Sequence, residues 1–131
     1  MRAMINAEQR QLLHQYLIVD LAIQSLQCDY KTLEQLKMKV IYLPFVDRLM
    51  ESVRKDYFNL KRQLAKQNIR VVGWIRIDAY FSDVRIATAG EDEMLRYANQ
   101  ALKMEVEQLL IQLIVNCVNK SNKTSSRLSS K

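Results

Sequence analysis

The stretch "RVVGWIRIDAYFSDVRIATAG", residues 70–90, decides the fold, because it holds both glycines and the only tryptophan of the chain and has helical patterns on either side. Within it the period is two. Val71, Gly73, Ile75 and Ile77 share one face of a strand, and Arg70, Val72, Trp74 and Arg76 share the other. In "SDVRIAT", residues 82–88, Val84 and Ile86 fall on one face against Asp83, Arg85 and Ala87. The turn-sized "DAYF", Asp78 to Phe81, joins the two runs, so the sequence predicts a β-hairpin. A lone hairpin is marginally stable in water; this one must lie on the helices or pair with another copy.

Upstream, Asn6 and Gln9 have capping-box spacing and open a first helix whose Leu12, Leu13, Tyr16, Leu17, Ile23 and Leu26 recur three and four residues apart. That helix is expected to end near "QCDY", residues 27–30, where Asp29 caps a second segment, the two forming a hairpin. Pro44 has no N–H and disfavours helix at Leu43, so a fresh start or sharp bend is expected there. Beyond it Val46, Met50, Val53, Tyr57, Leu60 and Leu64 alternate spacings of four and three along a long helix. This seam is read either as a dimerising coiled coil or as a helix packed inside its own domain. Asn68 suits a left-handed cap at its end.

Downstream, Gly90 punctuates, and Glu91, Asp92 and Glu93 place three carboxylates where a helix start carries partial positive charge. A last long helix is expected there, with Leu95, Ala98, Leu102, Leu109 and Leu113 as its buried stripe. From Asn119 on, "NKSNKTSSRLSSK" lacks the apolar residues that offset ordering entropy. The expectation is one α+β, mostly helical domain over 1–119 and a disordered basic tail over 120–131, with a helical hairpin, a long central helix, a β-hairpin and a long C-terminal helix.

Composition fits that class: of 131 residues 49% are hydrophobic and 26% charged, with one proline to interrupt helices. Cys28 and Cys117 have no cysteine or histidine nearby, so they read as buried thiols in a reducing cytoplasm. The apolar run Leu109–Val115 is too short to span a membrane, and no targeting segment shows; the expected location is cytoplasmic, without membrane contact. The net charge of +6 is unevenly spread. Residues 31–85 carry twelve bases against six acids, residues 86–119 two against five, and residues 120–131 four against none.

Catalysis finds little support. His14 is the only histidine and lies on a mainly apolar helix, where a structural role is favoured. Consecutive carboxylates such as Glu91, Asp92 and Glu93 cannot converge on one ion from a helix. No phosphate-cradling glycine loop exists, so neither an enzyme nor a cofactor is expected.

Two binding readings stand. One is docking on a protein partner through the hairpin and adjoining helix, with Trp74, Arg70, Arg76, Tyr80, Phe81 and Arg85 as contacts and Trp74 as anchor. In it the chain is also a homo-oligomer along the Val46–Leu64 seam. The other reading of Trp74 is that it covers the helices. The other is a DNA-binding regulator using Arg48, Arg54, Lys55, Lys61 and Arg62 on the central helix, the hairpin arginines and the tail. Against it, Asp47, Glu51 and Asp56 sit among those bases at spacings that suit intrahelical pairs such as Glu51 with Lys55.

Residues 64–110, "LAKQNIRVVGWIRIDAYFSDVRIATAGEDEMLRYANQALKMEVEQLL", resemble small proteins encoded by phages and integrated elements of Bacillus-type bacteria. The likeness rests on "KQNIRVV", the "DAYF" turn, Gly90 and "LRYANQALKMEVEQLL". It implies a mobile-element setting and a small regulatory or host-directed role, with no chemistry or site residues attached.

Overall fold

The computed structural model describes residues 5–129, and the side-chain surroundings of residues 5–119. The fold is α+β and mostly helical: α1 (Ala7–Leu33), α2 (Lys39–Lys66), β1 (Arg70–Arg76), β2 (Phe81–Ala87), β3 (Asp92–Ala98) and α3 (Asn99–Ser129).

Helix α1 starts where the capping box puts it. The Asn6 side chain accepts from the Gln9 N–H at 2.8 Å, and the Gln9 side chain accepts from the Asn6 N–H at 3.0 Å. It does not end at residues 27–30, however. Leu26, Tyr30 and Leu33 keep the apolar face in contact with the core, so Asp29 lies in the helix interior and the turn comes at residues 34–38. Helix α2 begins at Lys39, before Pro44 rather than at it. Pro44, sixth in the helix, costs the bond to the Val40 carbonyl. Val40 is 78% exposed, so water is at hand for that oxygen. The expected second segment and central helix are therefore one helix, antiparallel to α1.

The expected seam of α2 is spent inside the chain. Val46, Met50, Val53, Leu60 and Leu64 are buried against Leu13, Leu17 and Ala22 of α1 in one core, with Tyr57 packed on its border. There the Tyr16 hydroxyl meets that of Tyr57 at 3.2 Å, and burial together with this hydrogen bond pushes the Tyr16 pKa up. No part of that seam is left to pair with a second copy.

Asn68 takes the left-handed conformation, φ 58°, and turns the chain from α2 into β1. The sheet has three antiparallel strands in the order β1-β2-β3, one more than the sequence led us to expect. Asp92–Ala98 is a strand, not the start of the last helix. Glu91 lies in a tight turn where its carbonyl accepts from the Thr88 N–H (2.9 Å) and the Thr88 hydroxyl (2.6 Å), and Asp92 and Glu93 open β3. Leu95 thus covers the core from a strand and Ala98 ends that strand; the buried face of α3 begins at Leu102.

Helix α3 runs in the same sense as α1, with Glu105 paired to His14 and Leu109 facing the same groove as Ile18. Its helical backbone continues to Ser129, into the segment read as a disordered tail; nothing after Gly90 carries a glycine or proline to stop it. The tail's side chains lie outside the described residues. Among the described residues no helix is long and apolar enough to cross a membrane.

Candidate protein-docking surface

The faces of the sheet follow from one irregularity. Val71 and Gly73 oppose the consecutive residues Ile86 and Arg85, so Val72 has no partner of its own and forms a bulge. The strict alternation expected for β1 therefore fails at its middle. Val71 and Trp74 both turn inward, opposite the fully buried Ile86 and Val84, while Val72 and Ile75 turn outward.

Trp74 consequently lies on the helix side. Its ring is tilted against Tyr97 (centroids 5.9 Å apart), and Tyr97 stacks on His14 (5.7 Å), whose Nε2 meets Glu105 at 2.8 Å. His14 thus links α1 to Tyr97 of β3 and to Glu105 of α3. Trp74 as the partner anchor is thus corrected: it closes the core from the sheet side. Its indole N–H is buried without an acceptor, an uncompensated desolvation. Trp74→Phe, which removes that donor and keeps a ring, is expected to leave stability within about 1 kcal/mol of the parent. Trp74→Ala is expected to cost about 2–4 kcal/mol by leaving Val84 uncovered. Urea midpoints of the two variants check both values.

The outer face of the sheet carries Val72, Ile75 and Ile77 from the β1 side, Phe81 from β2 and Met94 from β3, exposed between 41% and 51%. At its centre Asp83 and Arg96 lie in register. Arg96 grips the carboxylate through Nε (2.8 Å) and Nη2 (3.2 Å) and covers it, so that Asp83 keeps only 7% of its surface. The arginine hydrogen bond holds the Asp83 carboxyl below the ordinary carboxylate range, burial opposing in part. A lowered folded pKa adds stability that is fully present above the unfolded value and lost as pH falls through the folded one. Asp83→Asn is expected to flatten the acid limb of stability in urea titrations run from neutral pH downward.

The turn that ends this face is built by Asp78 and Asn99. Asp78 Oδ1 accepts from the Tyr80 and Phe81 N–H groups, both at 2.8 Å. The Asn99 amide donates to the Asp78 and Ala79 carbonyls and accepts from Ser82 Oγ at 2.6 Å, and its N–H donates to the Tyr80 carbonyl at 2.8 Å. The start of α3 thereby holds the turn, and Tyr80 stands at its tip, 73% exposed. Of the expected contacts, Phe81, Arg85 and Arg70 belong to the outer face by register. Arg76 is exposed at the strand end and donates to the Asp78 carbonyl. Val72, Ile75, Ile77, Met94 and Arg96 escape the sequence reading; the signal for the last two is the alternation inside "DEMLRYA".

The five bases of α2, Arg48, Arg54, Lys55, Lys61 and Arg62, are all exposed. They fall in two stripes, Arg48, Lys55 and Arg62 on one and Arg54 and Lys61 on the other, with Asp47 and Glu51 between them. Among the described residues the one Arg or Lys ion pair is Arg96 with Asp83, so the expected Glu51–Lys55 pair is not made. Lys61 sits over the Tyr57 ring at 5.8 Å instead. Among the described residues no group of three or more His, Cys, Asp or Glu side chains could hold a metal ion. Cys28 is exposed and Cys117 half-buried, so the expectation of two buried thiols fails for the first.

A family model described as "YhjD protein" matches residues 4–116, from the helix α1 cap into the second half of α3. Neither the curated proteins nor the solved structures give a match to the chain.

Proposed function

The chain belongs to the YhjD protein family, and on that premise we propose that it is a non-enzymatic binding protein that docks on a protein partner through the outer face of its sheet. The observation that carries this reading is the solvent-facing cluster Val72, Ile75, Ile77, Phe81 and Met94, apolar side chains gathered on one face by the bulge and by register. Apolar clusters of this kind, rimmed by polar groups, mark interaction sites. The whole sheet lies within the segment that the family model matches. Arg70 and Arg85 on the same face favour a partner whose apolar anchor is flanked by carboxylates. A regulatory or host-directed role in a mobile element is the setting that the resemblance of residues 64–110 implies.

A photo-crosslinker placed at Ile75 tests the reading, with one at exposed Gln63 on α2 as the control. We expect one discrete crosslinked protein from Ile75 and none from Gln63. Ile75→Asp is expected to weaken capture roughly tenfold or more while leaving the helical signal and melting unchanged, because the residue is exposed. Capture that withstands both Ile75→Asp and Phe81→Asp defeats the proposal.

The unpaired bases of α2 support a second reading, a DNA-binding regulator. It predicts duplex affinity that falls steeply with salt and drops when Arg48, Lys55 and Arg62 are replaced together by alanine. Absence of duplex binding at low salt removes it.

A further inference from the structure

Where α1 turns into α2, Leu36, Met38, Val40, Ile41, Tyr42 and Phe45 crowd into one short stretch, exposed by 38% to 78%. No residue from 34 to 45 is buried, and only Leu43 is half-buried, so this tip projects beyond the core. From Val40 to Phe45 the sequence is apolar without a break. At about 3.6 residues per turn, six consecutive helical residues go fully round the axis, so the start of α2 is apolar on every side. A helix apolar all round belongs where its whole circumference leaves water. The core of this domain takes up α2 on one side only, from Val46 onward. A second copy or a protein groove likewise covers one side of a projecting tip, whereas the acyl boundary of a bilayer surrounds it.

We propose that this tip inserts into the surface of a bilayer that carries anionic lipid, without crossing it. Charge agrees with that occupant. Lys37 and Lys39 are the only charged residues from 35 to 46, and both are exposed. They alternate with Leu36, Met38 and Val40, so their stems lie along apolar surface while the ammonium groups reach headgroup phosphates. The start of α2 has no side-chain cap and no acid in its first turn, and its partial positive charge adds to that of the lysines. Glu34 and Asp47 stand outside the tip, one at the end of α1 and the other beyond the buried Val46. Tyr42 supplies an amphipathic ring of the kind that sits at headgroup level. Pro44 sets the depth: the Val40 carbonyl that it leaves without an N–H finds water among the headgroups and none in the acyl interior, so insertion is shallow. Surface insertion needs no spanning helix, and it departs from the sequence expectation of no membrane contact. The tip shares no residue with the outer sheet face, so the two readings stand or fall separately.

Flotation of the full chain with vesicles of phosphatidylcholine and phosphatidylglycerol in equal parts tests the proposal. The chain is expected to float with them and to bind roughly tenfold more weakly, or worse, after Ile41→Asp or Phe45→Asp. Helical signal and melting should be unchanged, because both side chains are exposed. Lys37→Gln combined with Lys39→Gln is expected to cost roughly tenfold on these vesicles and little on phosphatidylcholine alone. Ile75→Asp, on the sheet, is expected to leave flotation unchanged. A chain that does not float overturns the proposal. So does flotation that withstands both tip aspartates, that is lost in Ile75→Asp, or that is as strong on phosphatidylcholine alone. Depth is read with Val40→Trp in a Trp74→Phe background: vesicles are expected to shift its emission to the blue, and lipids brominated along the acyl chain to quench it. Emission that vesicles leave unmoved overturns insertion. Sedimentation equilibrium tests the second copy as occupant; a dimer that Ile41→Asp turns into a monomer, in a chain that does not float, assigns the tip to self-association instead.

Discussion

Truncating Leu17 to alanine is expected to cost the fold about 3–5 kcal/mol. Leu17 is fully buried on α1, in the core shared with Val53 of α2 and Val84 of the sheet. The loss has two parts: the transfer free energy of the missing carbons, and a cavity that elements packed on several sides cannot collapse to fill. A domain of this size holds roughly 5–15 kcal/mol in all, so one substitution removes a large share of it. The melting temperature should fall by roughly 10–20 °C. Gln11→Ala, on the exposed side of the same helix, should change stability by less than about 0.5 kcal/mol. Similar losses from the two variants would mean that the α1–α2 interface is not the core.

Deletions in β1 should give the second large effect, through its sign as much as its size. Removing Val72 alone takes out the residue without a partner and leaves Val71 opposite Ile86 and Trp74 opposite Val84, so stability should move by no more than about 1 kcal/mol. Removing Val72 and Gly73 together brings Trp74 opposite Arg85 and Ile75 opposite Val84, which exchanges inner for outer face. That variant should lose about 3–5 kcal/mol and expose its tryptophan, seen as a red-shifted emission in the folded protein. A single deletion as harmful as the double one would show that Val72 is a paired ladder residue.

These two regions also mark how far the sequence could be read. Helix α1 was legible from its capping pair at Asn6 and Gln9, and the inward stripe of α2 from its spacing. The Asp78 turn and the left-handed Asn68 came through because side chains of that type bond their own backbone or tolerate positive φ. β3 did not. Leu95, Ala98 and Leu102 happen to keep helical spacing across the junction at Asn99, and the acids after Gly90 mimic a helix start. Local pattern cannot separate that from a short strand when β2 supplies the deciding hydrogen bonds. The bulge was hidden for a related reason: one unpaired residue changes no composition and reverses every face after it. Gly73 was the available cue, since a lone glycine within a strand often stands at a bulge.

The candidate site inherited the error. Trp74 looked like an anchor because alternation without a bulge puts it beside Arg76 and away from Ile75; in the structure Ile75 is outside and Trp74 inside. Phe81, Arg85 and Arg70 lie on the outer face because their faces are set by β2, which is regular, and by the segment before the bulge.

The order in which the elements meet has a kinetic consequence. Strands that neighbour each other in the sheet are neighbours along the chain, and so are α1 and α2. Each can close over a short loop, at little entropic cost. The return of α3 to α1, which brings Glu105 to His14, spans most of the chain and gains its contacts only after both earlier units exist. Refolding should therefore be fast for a protein with a sheet, and α3 should dock last. In stopped-flow chevrons Val106→Ala would then speed unfolding and leave the refolding limb almost unmoved.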